Sequence, residues 1–111
     1  MGVLHELPVR AGKRGAVPDG ALELAVERVR TVARYAGGHV QSAEVKLTAV
    51  RGHSPGWATL AQASLRARGQ VIRAHAAGAT AEEAIQRMGD RLRVQLERVT
   101  APWPDRHRHP V

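Results

Sequence analysis

Residues 57–77 read Trp57-Ala58-Thr59-Leu60-Ala61-Gln62-Ala63-Ser64-Leu65-Arg66-Ala67-Arg68-Gly69-Gln70-Val71-Ile72-Arg73-Ala74-His75-Ala76-Ala77, and their alternation decides the fold. Ala61, Ala63, Leu65 and Ala67 take every second place, with Gln62, Ser64, Arg66 and Arg68 between them. After Gly69 the period of two returns, with Ile72, Ala74 and Ala76 on one side and Arg73 and His75 on the other. That period belongs to an extended strand whose side chains alternate between two faces. Two strands, over 57–68 and 70–77, therefore meet at a tight reversal at Gly69 and share one apolar and one polar face.

The same pattern continues upstream. From Val40, the residues Ala43, Val45, Leu47 and Ala49 alternate with Glu44, Lys46 and Thr48, and residues 51–56 (Arg-Gly-His-Ser-Pro-Gly) form a turn cluster. This makes a third strand of an antiparallel meander. Downstream, Gly78 ends the sheet, and Thr80 with Glu83 has the spacing of a capping box. Ala81, Ala84, Ile85, Met88, Leu92, Leu96 and Val99 then fall on one face of a helix, which Pro102 terminates. Gly89 inside that helix costs roughly 1 kcal/mol relative to alanine.

An earlier helix precedes the meander. Asp19 is a suitable N-cap, and Leu22, Ala25, Val26, Val29, Ala33 and Ala36 recur at helical spacing before Gly37-Gly38 stops it. Before this, Val3 to Arg10 reads as an edge strand or extended arm, since Pro8 cannot donate to a central ladder. Residues 11–18 read as a glycine-rich basic loop. The expected class is α+β: a two-layer β-α-β-β-β-α sandwich, antiparallel-rich, with both helices on one face of the sheet and the other face open. Residues 1–100 form one domain, and the proline-, arginine- and histidine-rich 101–111 a linker or disordered tail.

Composition removes several functions. The 111 residues include no cysteine, so disulfides, thiolate nucleophiles and cysteine-ligated zinc are excluded. No apolar run reaches the ~18 residues of a membrane span, and no basic segment followed by an apolar stretch marks a secretory leader. The interior is lean. It has no phenylalanine, and 19 alanines and 13 valines must fill most of it, which favours close-packed elements over a ligand cavity. Of the six histidines only His107 and His109 cluster, in the tail, so no metal site is expected. Gly12-Lys13-Arg14-Gly15 lacks the spacing and ending of a phosphate-binding loop, and no catalytic constellation is present. The chain is expected to be no enzyme and to need no cofactor or small-molecule substrate.

What remains is charge. Lysine and arginine number 17 against 10 acids, and 15 of the 17 are arginine, which points to a polyanionic partner. On the second helix Arg87, Arg91 and Arg98 fall within about 40° of one another at ~100° per residue. Asp90 and Glu97 are turned away from that line, which reads as an arginine stripe with no carboxylate on it. The first helix offers Arg28, Arg30 and Arg34, and the open sheet face offers Lys46, Arg66, Arg68, Arg73 and His75. Arginine's planar fork suits bidentate phosphate contact. Trp57 and Trp103 are open to two readings, as stacking platforms or as covers of the core.

Four stretches carry a family resemblance: Val32-Ala33-Arg34-Tyr35; Ser42-Ala43-Glu44-Val45-Lys46-Leu47; Ile72-Arg73-Ala74-His75-Ala76-Ala77-Gly78 leading into Ala84-Ile85; and Asp90-Arg91-Leu92-Arg93-Val94-Gln95-Leu96-Glu97-Arg98. In order and spacing, over roughly residues 19–100, they resemble the bacterial ribosome hibernation-promoting factors, also called ribosome-associated inhibitors or ribosomal subunit interface proteins. Ala36 and Glu82 stand where that family usually has aromatics. The resemblance implies a fold similar to double-stranded-RNA-binding domains. It implies a cytoplasmic, non-catalytic protein that binds the small ribosomal subunit, its rRNA and neighbouring ribosomal proteins, in the decoding channel. There it would block mRNA and tRNA during stress or stationary phase. It places rRNA contacts on Arg28, Arg30, Arg34, Arg87, Arg91 and Arg98. Ribosome dimerisation would need a C-terminal domain that longer members append. The arginine bias would suit a high-GC organism such as an actinobacterium. Two other readings stay open: a general RNA-binding module, and a protein-interaction or regulatory subunit.

Overall fold

A computed structural model describes residues 7–34, 40–50 and 58–100 of the chain. The elements run β1 (Val9–Arg14), α1 (Ala21–Arg34), β2 (Val40–Ala49), β3 (Thr59–Ala67), β4 (Gln70–Gly78) and α2 (Ala81–Thr100). They form an α+β fold with a four-stranded mixed sheet in the order β1-β2-β3-β4. The turn cluster at 51–56, Trp57, Ala36 with the glycines after it, and the tail from 101 lie outside the described residues.

The meander forms as its period of two dictates. Val45 faces Ala63, which faces Ala74, and Leu47 faces Ala61, which faces Ala76, so each row of small and branched side chains stays on one face. Arg68 (φ 53°) and Gly69 (φ 78°) both adopt left-handed backbone, which two-residue hairpin turns require because their twist matches that of the strands.

The first strand differs from expectation. The stretch read as a basic loop holds most of β1, which pairs parallel to β2 from Val9↔Ala43 to Arg14↔Thr48. Glycines at 12 and 15 mimic a loop locally, but the β2 edge offers a ladder that local propensity does not register. Val9, Ala11 and Lys13 share the face of Ala43, Val45 and Leu47, while Arg10, Gly12 and Arg14 share the face of Glu44, Lys46 and Thr48. Pro8 lies just before the strand, where its carbonyl accepts the Ala43 N–H at 3.1 Å. Helix α1 supplies the crossover that a parallel pair needs. Its cap also shifts: the Gly20 carbonyl accepts the Leu24 N–H at 3.1 Å, so Gly20 rather than Asp19 occupies the N-cap position.

The core lies between the helices and one sheet face. Ala25, Val29 and Val32 of α1 and Ala84, Ile85, Met88, Leu92 and Leu96 of α2 are buried against Val45, Leu47, Ala61, Leu65 and Ala76 of the sheet. Leu and Ile burial of this kind contributes about 1.5–3 kcal/mol per side chain. The small alanines of β3 and β4 leave room for α2 to lie close on the strands. The opposite sheet face has no layer over it among the described residues.

Candidate nucleic-acid interface

The arginines of α2 are held by the sheet. The Gly78 carbonyl accepts the Ala58 N–H across β3, so the alternate carbonyls of Ala77 and His75 turn outward, to the free edge of β4. Arg87 Nη1 donates to the Ala77 carbonyl at 3.1 Å, and Arg91 Nη1 to the His75 carbonyl at 2.7 Å. Arg87 Nη2 also pairs with Glu83 Oε2 at 2.9 Å. The stripe is thus not free of carboxylate: Glu83, one turn before Arg87, stands on it. Arg98 is exposed in the last turn of α2, where a cation suits the helix dipole.

The arginines of α1 divide, Arg28 and Arg34 lining one groove between the helices and Arg30 turning to the segment before β1. Arg28 spans the helix pair, its Nη2 donating to Asp90 Oδ1 at 2.7 Å. Arg30 is half-buried and donates to the Leu7 carbonyl at 3.3 Å, tying α1 to the segment before β1. Arg34 is exposed in the groove, which Glu27, Glu82 and Glu83 also line. The six arginines singled out from the sequence therefore do not converge on one patch.

The open sheet face is different. Its register sets Arg10, Glu44, Ser64 and Arg73 side by side across all four strands, and Gly12, Lys46, Gln62 and His75 in the next row. Arg66 stands in the row beyond on one side, Arg14 in the row beyond on the other. A shallow concavity over the centre is lined by Arg10, Lys46, Gln62, Arg73 and His75. Arg14 escapes a sequence reading because it lies in the stretch that looks like a loop, and Arg10 because it ends a segment read only as an edge strand or extended arm. Only pairing with β2 puts them on this face.

Charge separates cleanly between the two layers. Among the described residues, the helices hold Arg28, Arg30, Arg34, Arg87, Arg91, Arg93 and Arg98. Against them stand Glu23, Glu27, Glu82, Glu83, Asp90 and Glu97, with Asp19 in the turn before α1, so this layer balances at seven each. The strands and the Arg68 turn hold seven cations, Arg10, Lys13, Arg14, Lys46, Arg66, Arg68 and Arg73, against the single acid Glu44. All six net positive charges of the described residues thus sit with the sheet.

Among the described residues no group of three His, Asp, Glu or Cys side chains could hold a metal ion, and no helix is long and apolar enough to cross a membrane. Residues 11–101 match the family described as sigma 54 modulation protein / S30EA ribosomal protein. The chain belongs to this family. The S30EA family comprises ribosome-associated, non-enzymatic proteins. Solved structures share its fold. A ribosomal subunit interface protein from Coxiella burnetii superposes with a TM-score of 0.68 at 15% identity, covering 86% of this chain and 100% of that one. The N-terminal domain of Thermus thermophilus Protein Y gives 0.64 at 20% identity, covering 84% and 99%. No curated protein matches the chain. The S30EA assignment agrees with the resemblance carried by residues 19–100, and the β-α-β-β-β-α order agrees with these neighbours.

Proposed function

We propose that this chain is a hibernation factor: a translation inhibitor that occupies the small ribosomal subunit where mRNA and tRNA would otherwise lie. The observation that carries the reading is the S30EA match over residues 11–101. The basic sheet supports it, because rRNA presents a dense array of phosphates and its affinity for such a surface is largely electrostatic. The mechanism is steric. Arginine and lysine side chains hold rRNA phosphates and the folded body fills the path of message and tRNA, with no bond made or broken.

The partner is the small subunit in the cytoplasm, its rRNA and the ribosomal proteins beside the decoding channel, under stress or in stationary phase. Residues 1–100 are the ribosome-binding domain. Arg28 and Arg30 already serve the fold through Asp90 and the Leu7 carbonyl, which weakens both as candidates for rRNA contact. Lys46, Arg66, Arg68 and Arg73 are exposed. Added to a cell-free translation reaction, the protein should block initiation. Subunits loaded beforehand with mRNA and initiator tRNA should resist the block. Undiminished synthesis at saturating protein would overturn the reading.

A further inference from the structure

We infer that the open face of the sheet, and not the helix arginines, is the surface that grips RNA, and that it grips the ribose–phosphate backbone of folded RNA without reading bases. The inference rests on the proposed ribosome binding and names the part of the molecule that performs it.

Three observations converge on this face. The first is charge: Arg10, Arg14, Lys46, Arg66 and Arg73 are exposed there with one acid, Glu44, whereas cations and acids of the helix layer balance. Several helix arginines are also already engaged, Arg28 with Asp90, Arg87 with Glu83 and Arg93 with Glu97. The second is spacing. Neighbouring strands lie about 4.8 Å apart and alternate residues about 6.7 Å along a strand, so diagonal neighbours such as Arg66 and Arg73, or Arg14 and Lys46, are roughly 8 Å apart at their backbones. Long cationic side chains on such a lattice can reach neighbouring phosphates of one backbone. The third is chemistry. No described residue of the face is Phe, Tyr or Trp, and His75 is its single ring, so it lacks the series of stacking platforms that successive unpaired bases need. The hydroxyls and amide of Ser42, Thr48, Ser64 and Gln62 suit phosphate oxygens and 2′-hydroxyls, which carry no sequence information.

An acidic protein would also answer the charge. Protein interfaces, however, are anchored by buried aromatic or large apolar side chains. Among the described residues, the one large apolar side chain exposed on this face is Val71, on the edge strand. A polynucleotide backbone fits the surface; a protein partner lacks an anchor.

Two variants that remove equal charge test the inference. One replaces Arg10, Lys46 and Arg73 by Gln on the sheet; the other replaces Arg34, Arg93 and Arg98 by Gln on the helices. All six positions are exposed, and thermal melts establish that both variants fold. Each is titrated against purified small subunits and against mixed-sequence A-form RNA duplexes over a range of salt. The sheet variant should lose at least tenfold in affinity, and its log–log salt slope should flatten by about one per phosphate contact removed. The helix variant should stay within about threefold of wild type. Equal losses in the two variants, or a larger loss in the helix variant, overturn the assignment. A tenfold preference among duplexes of different sequence, or for unstructured single strands, overturns backbone recognition. Polyglutamate competing as well as RNA at equal charge overturns the choice of partner. If wild type binds the duplexes but not the subunits, the ribosomal reading fails while the sheet assignment is still decided by the two variants.

Discussion

Arg28 crosses from α1 to α2 over the bare backbone of Gly89 and closes on Asp90 Oδ1 at 2.7 Å. A Cβ at position 89 would fall against Arg28 Nε and within 2.7 Å of its Cγ, so the glycine is the space through which the arginine passes. Glycine in mid-helix is otherwise unfavourable by about 1 kcal/mol. Gly89→Ala should therefore destabilise the protein by about 1–2 kcal/mol, because Arg28 must leave its seat. In an Arg28→Ala background the same substitution should stabilise by up to about 1 kcal/mol, since only the propensity gain remains. Urea denaturation of the four proteins of this cycle checks the reversal of sign.

The start of α2 rests on one threonine and one glutamate. Thr80 Oγ1 accepts the Glu83 N–H at 3.0 Å, and Glu83 Oε1 accepts the Ala79 N–H at 2.7 Å. Thr80→Ala removes the acceptor of an otherwise orphaned helix N–H and should lower the unfolding free energy by about 1 kcal/mol. Thr80→Ser keeps the oxygen and should cost much less. The denaturation midpoints of the two variants make the comparison.

Arg87 and Arg91 close part of an exposed sheet edge. Their guanidinium groups occupy the outward carbonyls of Ala77 and His75, which a strand from a second molecule would otherwise find open. The double variant Arg87→Ala, Arg91→Ala should keep its fold, because both side chains are exposed, yet self-associate at concentrations where wild type does not. Sedimentation velocity at matched concentration distinguishes the two. A double variant that sediments as wild type does would mean the edge is protected by other means.

The parts of the fold legible in the sequence are those set by local pattern. The alternation of Ala61 to Ala67 and Ile72 to Ala76, the Thr80–Glu83 box and the stripe from Ala81 to Val99 each declare their element within a few residues, and each is found where expected. What was hidden depends on partners distant in sequence. The ladder that makes Val9–Arg14 a strand belongs to β2, more than thirty residues away, and with it goes the placement of Arg10 and Arg14. Arg28 reads as a surface cation until the packing of α1 on α2 supplies Asp90. Glu83 is a different case: at four residues from Arg87 it lies on the same helix flank, and its role in the cap obscured its role in pairing. The balance of charge on the helices and its surplus on the sheet emerge only once every charged residue has a layer.

The most direct test of the account is the affinity of the protein for small ribosomal subunits measured twice by co-sedimentation, once with empty subunits and once with subunits carrying mRNA and tRNA. Occlusion of the decoding channel predicts tight binding to empty subunits and a loss of at least tenfold when the channel is filled. Equal binding to both would contradict it.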